Sequence, residues 1–344
     1  MDFITDIHLQ RGAEQTQRID ALSRRLGARV GMPGVLEGLN RQASRAEVPG
    51  SAAQQGLTWN AQDNESRLWW PQGITTTADA SDTEDRHGRA LVVTSWYCKG
   101  GAGGRQGSRV TFLDLKTLRY RHVLIVQATK NLWGRPTLTP LHIHAGGLVW
   151  AGDYLHLAGT RRGIFTARVD DIIRLQPSNR TFDYRYVLPV RFAYDARSAP
   201  DIEQLRYSFL SLDRSAEPPE LIAGEYGTKD MSTRIVRYPM DRESLLLHQG
   251  EGGASRPIFM DSGGVGHMQG VTVVRGRYFV TASRGKNTNG DVYAGQPGDL
   301  QRHRGVLPPG PEDITYWPSR DQLWSLSEYP GRRFVFAMDR GRFE

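Results

Sequence analysis

HIHAGGLVWAGDYLHLAGT, residues 142–160, contains two histidines, a glycine pair and two apolar runs that flank the turn Gly152-Asp153. Short apolar runs bounded by glycine and aspartate are typical of antiparallel strands joined by a tight turn. A third run, GIFTARVDD, follows after two arginines. The stretch therefore predicts a unit of three consecutive strands, with His142 and His144 in the loop that leads into the first strand.

This three-strand unit occurs five times between residue 57 and the C-terminus. The first strands open on a small or polar residue and read PQGITTT, HAGGLVW, YSFLSLD, MQGVTVV and PEDITYW. The second strands read ALVVTSWY, YLHLAGT, LIAGEY, YFVTAS and QLWSLSEY, and the third SRVTFLDL, GIFTARVDD, TRIVRYPMD, GDVYAG and RRFVFAMD. Repeated antiparallel units that are too small to bury a core alone are typical of a β-propeller. We therefore predict an all-β fold, a five-bladed β-propeller.

The last unit lacks a fourth strand, because the sequence ends soon after RRFVFAMD. Fourth strands are recognisable elsewhere, at RYRHVLIVQA (119–128) and DYRYVLPVRFAY (183–194). We expect the segment GLTWN around Trp59 to supply the missing strand. Such pairing closes the ring and removes an exposed sheet edge.

The segment ahead of the repeats has a different pattern. Ile19, Leu22 and Leu26 recur at helical spacing, and a polar stretch, SRAEVPGSAAQQG, follows them. We predict a short helical arm and linker over residues 1–56 and the propeller over residues 57–344.

Composition limits the functional classes. Hydrophobic residues make up 38% of the chain and charged residues 24%, which is typical of a globular protein with a substantial core. No apolar run approaches the roughly 18 residues of a membrane span, so no membrane partner is expected. The N-terminus lacks the apolar core of a signal peptide, so the chain as written is expected in the cytoplasm, or secreted if a signal precedes it. The net charge of +7 comes without a Lys/Arg run or a recognition-helix pattern, so no nucleic-acid partner is expected.

Several short motifs across residues 60–340 resemble a group of uncharacterised, often secreted actinobacterial β-propeller proteins. The motifs are WWPQGIT, SWY, RYRHVLIV, HAGG, YSFLSLDR, GEY, QGVT and GPEDITY. This resemblance implies the fold, and it carries no catalytic residues that can be transferred. The first-strand openings are also similar to those of lactonase and strictosidine-synthase-like propellers, which have six blades and a calcium ion held by Glu, Asn and Asp. Only Glu312 matches that pattern, so no cofactor is predicted, and calcium in the central channel stays open as an alternative.

Residues that open the first strands are expected to converge, because the first strand of each propeller blade lines the central channel. These residues are Gln72, His144, Ser208, Gln269 and Glu312. His142 and His267 are close to this set in sequence. Polar side chains here either satisfy backbone groups around a water-filled channel or contact a ligand. We favour ligand contact, because the set combines amides, imidazoles and an acid.

The turns between the second and third strands face the same mouth and are basic. We expect Arg161, Arg162 and Lys286 to attract an anionic ligand, with solvated surface charge as the alternative. The same turns also contain Lys99, Arg105, Lys229, Arg284 and Arg332. Trp69 and Trp70 can stack on a sugar ring or pack at a blade junction.

Two clusters have ligand-like side chains without the spacing of a metal site. DASDTEDRHG has several carboxylates but lacks the spacing and central glycine of an EF-hand loop. His142 and His144 have no third ligand at the spacing typical of zinc sites. No metal site is predicted.

The sequence favours an enzyme with one asymmetric site at the channel mouth. Glu312, His144 and His267 are the acid–base candidates, since imidazole titrates near neutrality and a partly buried carboxyl can have a raised pKa. Such a set suits hydrolase, lyase or cyclase chemistry on an anionic or polyhydroxyl small molecule or an oligosaccharide. The alternative is a lectin-like carbohydrate- or anion-binding module, which would repeat the same contact residues in each blade. A scaffold that recruits partners through the helical arm is a third interpretation.

Overall fold

The computed structural model describes residues 2–100, 106–176, 178, 181–228, 230–262 and 264–344. Within these ranges the chain is an all-β protein, as predicted. The α-helices are α1 Thr16–Leu26, α2 Gly31–Glu37, α3 Ala61–Glu65 and α4 Thr77–Ala80. Short 3₁₀ helices cover Val169–Asp171, Glu251–Gly253, Pro318–Arg320 and Arg340–Phe343. No helix in the described ranges has the length and apolar character needed to cross a bilayer.

The strands fall into an N-terminal set and five later runs. The N-terminal set is β1 Ile7–Arg11, β2 Gly27–Arg29, β3 Arg41–Gln42, β4 Ser44–Arg45 and β5 Ala53–Thr58. The first run is β6 Trp69–Thr76, β7 Leu91–Cys98, β8 Ser108–Asp114, β9 Arg119–Lys130 and β10 Pro136–Pro140. The second is β11 Leu148–Ala151, β12 Tyr154–Ala158, β13 Ile164–Arg168, β14 Ile173–Leu175 and β15 Tyr186–Ser198.

The remaining three runs have the same order of short strands. The third run is β16 Phe209–Asp213, β17 Glu220–Gly224, β18 Ile235–Pro239, β19 Ala254–Ser255 and β20 Phe259–Asp261. The fourth is β21 Met268–Val274, β22 Arg277–Ala282, β23 Gly290–Gln296 and β24 Asp299–Leu307. The fifth is β25 Pro311–Trp317, β26 Gln322–Ser327 and β27 Phe334–Asp339.

Within each run the main strands pair antiparallel in sequence order. The orders are β6-β7-β8-β9, β11-β12-β13-β15, β16-β17-β18-β20, β21-β22-β23-β24 and β25-β26-β27-β5. The first two runs join into one sheet, because β9 and β15 pair in parallel with Leu124 opposite Val187. The other three runs form separate sheets.

The first strands of the five runs pack against one another in a closed ring, β6, β25, β21, β16 and β11. Glycines permit this close approach. A Cβ at Gly147, just before β11, would lie 2.1 Å from the backbone nitrogen of Leu210, and one at Gly270 would lie 2.7 Å from the Cα of Asp313. No side chain fits at such distances, so the glycines in the strand openings are a packing requirement.

Asp313, in β25, links three of the first strands through hydrogen bonds at the centre of this ring. Its Oδ2 atom accepts hydrogen bonds from the backbone nitrogens of Ile74 in β6 and Leu148 in β11, each at 3.2 Å. Burial raises the pKa of Asp313 well above its usual range. The adjacent Glu312 has the opposite orientation along the strand, and its side chain lines the cavity described below.

The hydrophobic core lies in layers between neighbouring runs. Ile222 and Ile235 of the third run pack in one cluster with Val271 and Val280 of the fourth. Alternate residues along each strand point to opposite faces, so every run contributes apolar side chains to two such layers. The layers hold the first strands, and therefore the residues that open them, in a fixed arrangement.

The chain ahead of the repeats is joined to the sheets. β5 pairs antiparallel with β27, with Leu57 opposite Val335, so the pairing expected for the segment around Trp59 is confirmed. β1 pairs with β15 and β19, β2 pairs with β14, and β3 pairs with β9. Residues 1–56 therefore contribute strands to the sheets as well as helices, and the division of the chain at residue 57 stays a prediction.

The helix expected in this segment is α1. It buries Ile19 and Leu22 and ends at Gly27, whose backbone N–H is bonded to the carbonyl of Ser23. Its apolar side packs against β9, β10 and β15. Helical periodicity is a local signal, which explains why the sequence could identify this element.

Candidate active site

A cavity of about 990 Å³ lies over the openings of the first strands. Its walls include all five residues predicted to converge there, Gln72, His144, Ser208, Gln269 and Glu312. His267 lines the same cavity. The fold thus brings these six side chains to one site, while their catalytic and binding roles stay predictions.

The cavity also contains residues at or just beyond the ends of the second strands, Tyr97, Thr160, Tyr226, Ser283 and Tyr329. In an antiparallel pair the end of the second strand lies beside the start of the first, so both sets belong to the same mouth. Sequence reasoning missed these residues as site residues. Their equivalent position in the five repeats was the signal that could have identified them.

Two glutamates line the cavity, and each accepts a hydrogen bond from a glutamine. The amide Nε2 of Gln269 donates to Oε1 of Glu312 at 3.2 Å, and that of Gln72 donates to Oε2 of Glu328 at 3.1 Å. Glu312 is fully enclosed, with 3% of its surface exposed. Burial, together with the charge of Glu328 and then of Asp313, raises the pKa of Glu312 well above its ordinary value.

Glu328 has a more polar environment than Glu312. Burial raises its pKa, but the amide of Gln72, the charge of Lys99 and a hydrogen bond with Tyr329 oppose this shift. The two carboxyl groups therefore share a cavity but differ in their surroundings, and Glu312 is the one that retains its proton to higher pH. Sequence reasoning missed Glu328, which follows directly on the second strand of the fifth run.

The two histidines of the cavity both lie against tyrosines. His144 is exposed at the mouth, and its ring centroid lies 4.4 Å from that of Tyr97. Desolvation by the surrounding protein, together with the charge of Lys99, lowers the pKa of His144. His144 is therefore a neutral imidazole at pH 7. Nδ1 of His267 lies 2.8 Å from the hydroxyl of Tyr226, which fixes the orientation of that ring. Both imidazoles can exchange hydrogen bonds with a ligand.

The two tryptophans proposed as sugar-stacking residues do not line this cavity. The Arg109 guanidinium carbon lies 4.4 Å from the Trp69 ring centroid, and Tyr184 packs against Trp69 in a T-shaped contact. The Lys99 ammonium lies 3.9 Å from the Trp70 ring centroid, where Tyr329 also packs. Trp69 is 6% exposed and a cation lies over one face of each ring, so packing is the interpretation that the structure favours.

The expected basic residues Arg161, Arg162 and Lys286 lie outside the cavity walls, and so does His142. The guanidinium of Arg162 instead stacks over Phe165 at 4.6 Å and reaches the carbonyl oxygen of His142 at 3.5 Å. All four residues are solvent-exposed. Two further basic turn residues, Arg105 and Lys229, lie outside the described residues.

Two of the predicted basic turn residues, Lys99 and Arg284, line the cavity, together with Arg206 and Arg302. Three of them are close to acids. Arg206 lies beside Glu203 and Glu225, and Arg302 lies 2.6 Å from Asp291, with Arg284 3.9 Å from the same carboxylate. The positive charge of the mouth is therefore largely balanced within the wall.

A second cavity, of about 440 Å³, lies between α3, β8, β9, residues 40–41 and residues 182–185. Its central group is the buried carboxylate of Asp63. Arg109 Nη2 lies 3.1 Å from this carboxylate, His122 Nε2 2.9 Å, the Tyr120 hydroxyl 2.6 Å and Arg41 Nη1 3.0 Å. Burial alone would raise the pKa of Asp63, but these partners outweigh burial and hold it well below its usual range.

His122 completes this network as a neutral ring. Burial lowers the pKa of His122 to about 3. With Nε2 donating to Asp63, its Nδ1 accepts from the hydroxyl of Thr111 at 2.7 Å. Because every one of these partners lies on β8, β9 or the N-terminal segment, we interpret the Asp63 network as structural.

Metal binding has no support in the described ranges, where no group of three or more His, Cys, Asp or Glu side chains is arranged to hold an ion.

Comparison with known proteins gives a weak structural likeness. The sequence matches no protein-family model and no curated protein. A gluconolactonase from Xanthomonas campestris is similar at 13% identity over 87% of each chain, with a TM-score of 0.40. A GH43_1 enzyme from Xanthomonas citri complexed with xylotriose is similar at 11% identity over 94% of this chain and 92% of that one, TM-score 0.39. A chain of a nidogen/laminin complex is similar at 12% identity over 86% of this chain and 90% of that one, with a TM-score of 0.38. Likeness at these identities and TM-scores does not establish a function for this chain.

Proposed function

We propose that the chain is a five-bladed β-propeller enzyme with its active site in the central cavity. In this proposal Glu312 and Glu328 divide the acid and base roles in hydrolysis of a saccharide or another polyhydroxyl small molecule. The observation that carries the proposal is the presence of two carboxyl groups in one cavity with unequal surroundings. Pairs of titratable groups whose environments separate their pKa values are a recurrent feature of acid–base catalysis.

The blade count is supported by the strand order. Five runs each contain three or more antiparallel strands, and the first strands of all five contact one another around a single axis. Every run contributes at least two residues to the cavity wall, and the residue at the opening of the first strand is among them, for example Ser208 in the third run and Gln269 in the fourth. These residues differ between runs, which favours one asymmetric site over several equal lectin-like sites.

The environment of Glu312 suits a proton donor. Its raised pKa keeps the carboxylic acid protonated at a pH where an ordinary glutamate is ionised. Glu328, with Lys99 and the Gln72 amide as partners, is the group that more readily becomes a carboxylate. A carboxylate next to a water molecule can accept its proton as that water attacks.

The chemical step then balances without a cofactor. The oxygen of water forms a bond to the substrate carbon while the C–O bond to the leaving group breaks. Glu312 gives its proton to the leaving oxygen, and Glu328 takes a proton from the attacking water. Exchange with solvent returns both carboxyl groups to their starting states. His144 and His267, the other acid–base candidates, take positioning roles, because each is held against a tyrosine.

The cavity walls support a polyhydroxyl substrate. Tyr97, Tyr226, Tyr293 and Tyr329 supply flat apolar faces with a hydroxyl at one end. Such faces pack on the C–H surface of a sugar ring, while hydroxyl and amide groups hydrogen-bond its edge. The anionic character expected from the basic turns is a weaker part of the proposal, because most cations of the cavity have acidic partners.

The test is a hydrolysis screen of the full chain against aryl glycosides, oligosaccharides and sugar lactones. We expect at least one class to be hydrolysed and Glu328→Gln to lower kcat by about 10²–10⁴-fold. Added formate should partly restore activity to a Glu328→Ala variant, since a small carboxylate can replace a missing base. Glu251→Gln, an exposed glutamate outside the cavity, is the matched control and should retain full activity.

Two outcomes would contradict the enzyme proposal. Saccharide binding without turnover of any class would assign the cavity to a binding module. Full activity in Glu328→Gln would remove this carboxylate from the mechanism.

A further inference from the structure

The tip of the β9–β10 hairpin presents two large apolar side chains to solvent. Leu132 is 98% exposed and Trp133 is 81% exposed. The other exposed large hydrophobic residues of the described chain, Phe3, Ile202, Met231 and Met260, are at most 39% exposed. Adjacent apolar side chains with this exposure are a recognised mark of a contact surface.

The tip is an ordered turn. Oδ1 of Asn131 accepts hydrogen bonds from the backbone nitrogens of Trp133 at 3.1 Å and Arg135 at 2.9 Å. The backbone N–H of Asn131 also donates to the carbonyl of Arg135 at 2.9 Å, and Gly134 has φ +71°, a conformation that favours glycine. The fold therefore holds Leu132 and Trp133 in an outward position, although neither side chain contributes to its core.

Basic side chains surround this tip. Lys130 and Arg135 flank the apolar pair and are exposed. Arg25, in the last turn of α1, donates to the carbonyl of Pro136 at 2.7 Å, and its exposed neighbour Arg24 is on the same turn. No Asp or Glu occurs in the sequence from residue 115 to residue 152. The hairpin is thus an apolar tip with four basic side chains nearby, namely Lys130, Arg135, Arg24 and Arg25.

Strand direction places the tip on the side of the cavity mouth. β7 ends at this mouth, where Tyr97 and Lys99 line the cavity. β8 runs away from the mouth and β9 returns to it, since the successive pairs are antiparallel. Arg109, near the start of β8, lies opposite Leu124, and β9 continues to Lys130. At about 3.3 Å per residue, the extra length carries the tip roughly 15–20 Å past the start of β8, which is the end of that strand nearer the mouth.

We propose that this hairpin is a peripheral membrane-docking element, in which Leu132 and Trp133 enter the headgroup region of an anionic bilayer. Tryptophan is enriched at that depth, and Lys130, Arg135 and Arg24 complement the negative surface of the lipid. A stable protein interface buries about 800 Å² per partner, more than a two-residue convex tip supplies by itself. Docking in this way would turn the cavity mouth toward the membrane. It replaces the expectation of no membrane partner, and it does not depend on the proposed hydrolysis.

The experiment is co-sedimentation of the full chain with vesicles of phosphatidylcholine alone or of phosphatidylcholine with phosphatidylglycerol. We expect binding to the mixed vesicles and a loss of about tenfold or more in partition coefficient for Leu132→Ser/Trp133→Ser. Ile202→Ser/Met260→Ser is the matched control and should bind like the wild-type protein, because those side chains are only partly exposed and lie elsewhere. Quenching of tryptophan fluorescence by brominated lipid should fall in a Trp133→Phe variant.

Three results would overturn the proposal. One is a lack of binding to either vesicle type, and another is equal binding of the Leu132→Ser/Trp133→Ser variant. The third is self-association in sedimentation velocity that this variant abolishes without any vesicle binding, which would assign the tip to a protein contact. Both substituted side chains are exposed, so the variant should unfold at the wild-type temperature, and this is measured in parallel.

Discussion

Glu312→Gln should abolish turnover, with kcat lowered by about 10²–10⁴-fold, in a protein that folds normally. The neutral amide has the shape of the protonated acid and can keep a hydrogen bond with Gln269, but it has no proton to give to a leaving group. Substrates with an activated leaving group, such as a dinitrophenolate, need no such proton and should retain more activity. The measurement is kcat for a substrate series of decreasing leaving-group pKa.

The same substitution should stabilise the fold toward alkaline pH. Burial raises the folded-state pKa of Glu312, so its contribution to stability is complete below the unfolded pKa of about 4.3 and is lost as pH rises through the folded pKa. Glutamine does not titrate, so the melting temperature of Glu312→Gln should exceed that of the wild type by an amount that grows with pH. Full activity, or a difference that is constant with pH, would contradict the assignment. Glu251→Gln should match the wild type in both assays.

Asp63→Asn should lower the free energy of unfolding by about 3–5 kcal/mol, because it leaves the buried guanidinium of Arg109 without its carboxylate. The pKa of Asp63 is held below its usual range, so its contribution is complete above the unfolded pKa of about 3.9 and is lost as pH falls through the folded pKa. The difference between wild type and variant should therefore be constant near neutrality and shrink in acid. Urea unfolding of both proteins at several pH values measures this difference in unfolding free energy.

A matched control uses an exposed ion pair. Asp153 lies 3.3 Å from Arg168, and its side chain is 45% exposed. Asp153→Asn should lower the free energy of unfolding by less than about 1 kcal/mol, since water screens exposed ion pairs. If the two variants lose equal amounts of unfolding free energy, the Asp63 network does not hold the N-terminal segment to the sheet.

The strand repeats could be predicted from the sequence because each strand and turn is specified by local signals. Alternating apolar residues and glycine or aspartate turns are properties of a few neighbouring residues, and so is the helical spacing of Ile19 and Leu22. The convergence of Gln72, His144 and Glu312 then followed from the repeat itself. Glu328 was missed because only the openings of the first strands were used, although the ends of the second strands reach the same mouth.

Other features depend on partners that are distant in the sequence. The pairing of β1 with β15 and the four partners of Asp63 join segments for which no local pattern specifies a neighbour. Trp70 is covered by Lys99 and Tyr329, and only the fold reveals this. Arg161 and Arg162 do not line the cavity, and the Arg162 guanidinium instead lies over the Phe165 ring, a contact that the charge pattern of the sequence does not specify.

The most direct test of the central claim is the pH–rate profile of hydrolysis by the wild-type protein and by Glu312→Gln. For the wild type we expect a bell-shaped profile, because acid protonates Glu328 and alkali ionises Glu312, and either change lowers the rate. Both limbs of the profile should lie above the ordinary glutamate pKa of about 4.3. With an activated leaving group, Glu312→Gln should retain the acid limb and lose the alkaline one. An alkaline limb that persists unchanged in Glu312→Gln would show that another group is the proton donor.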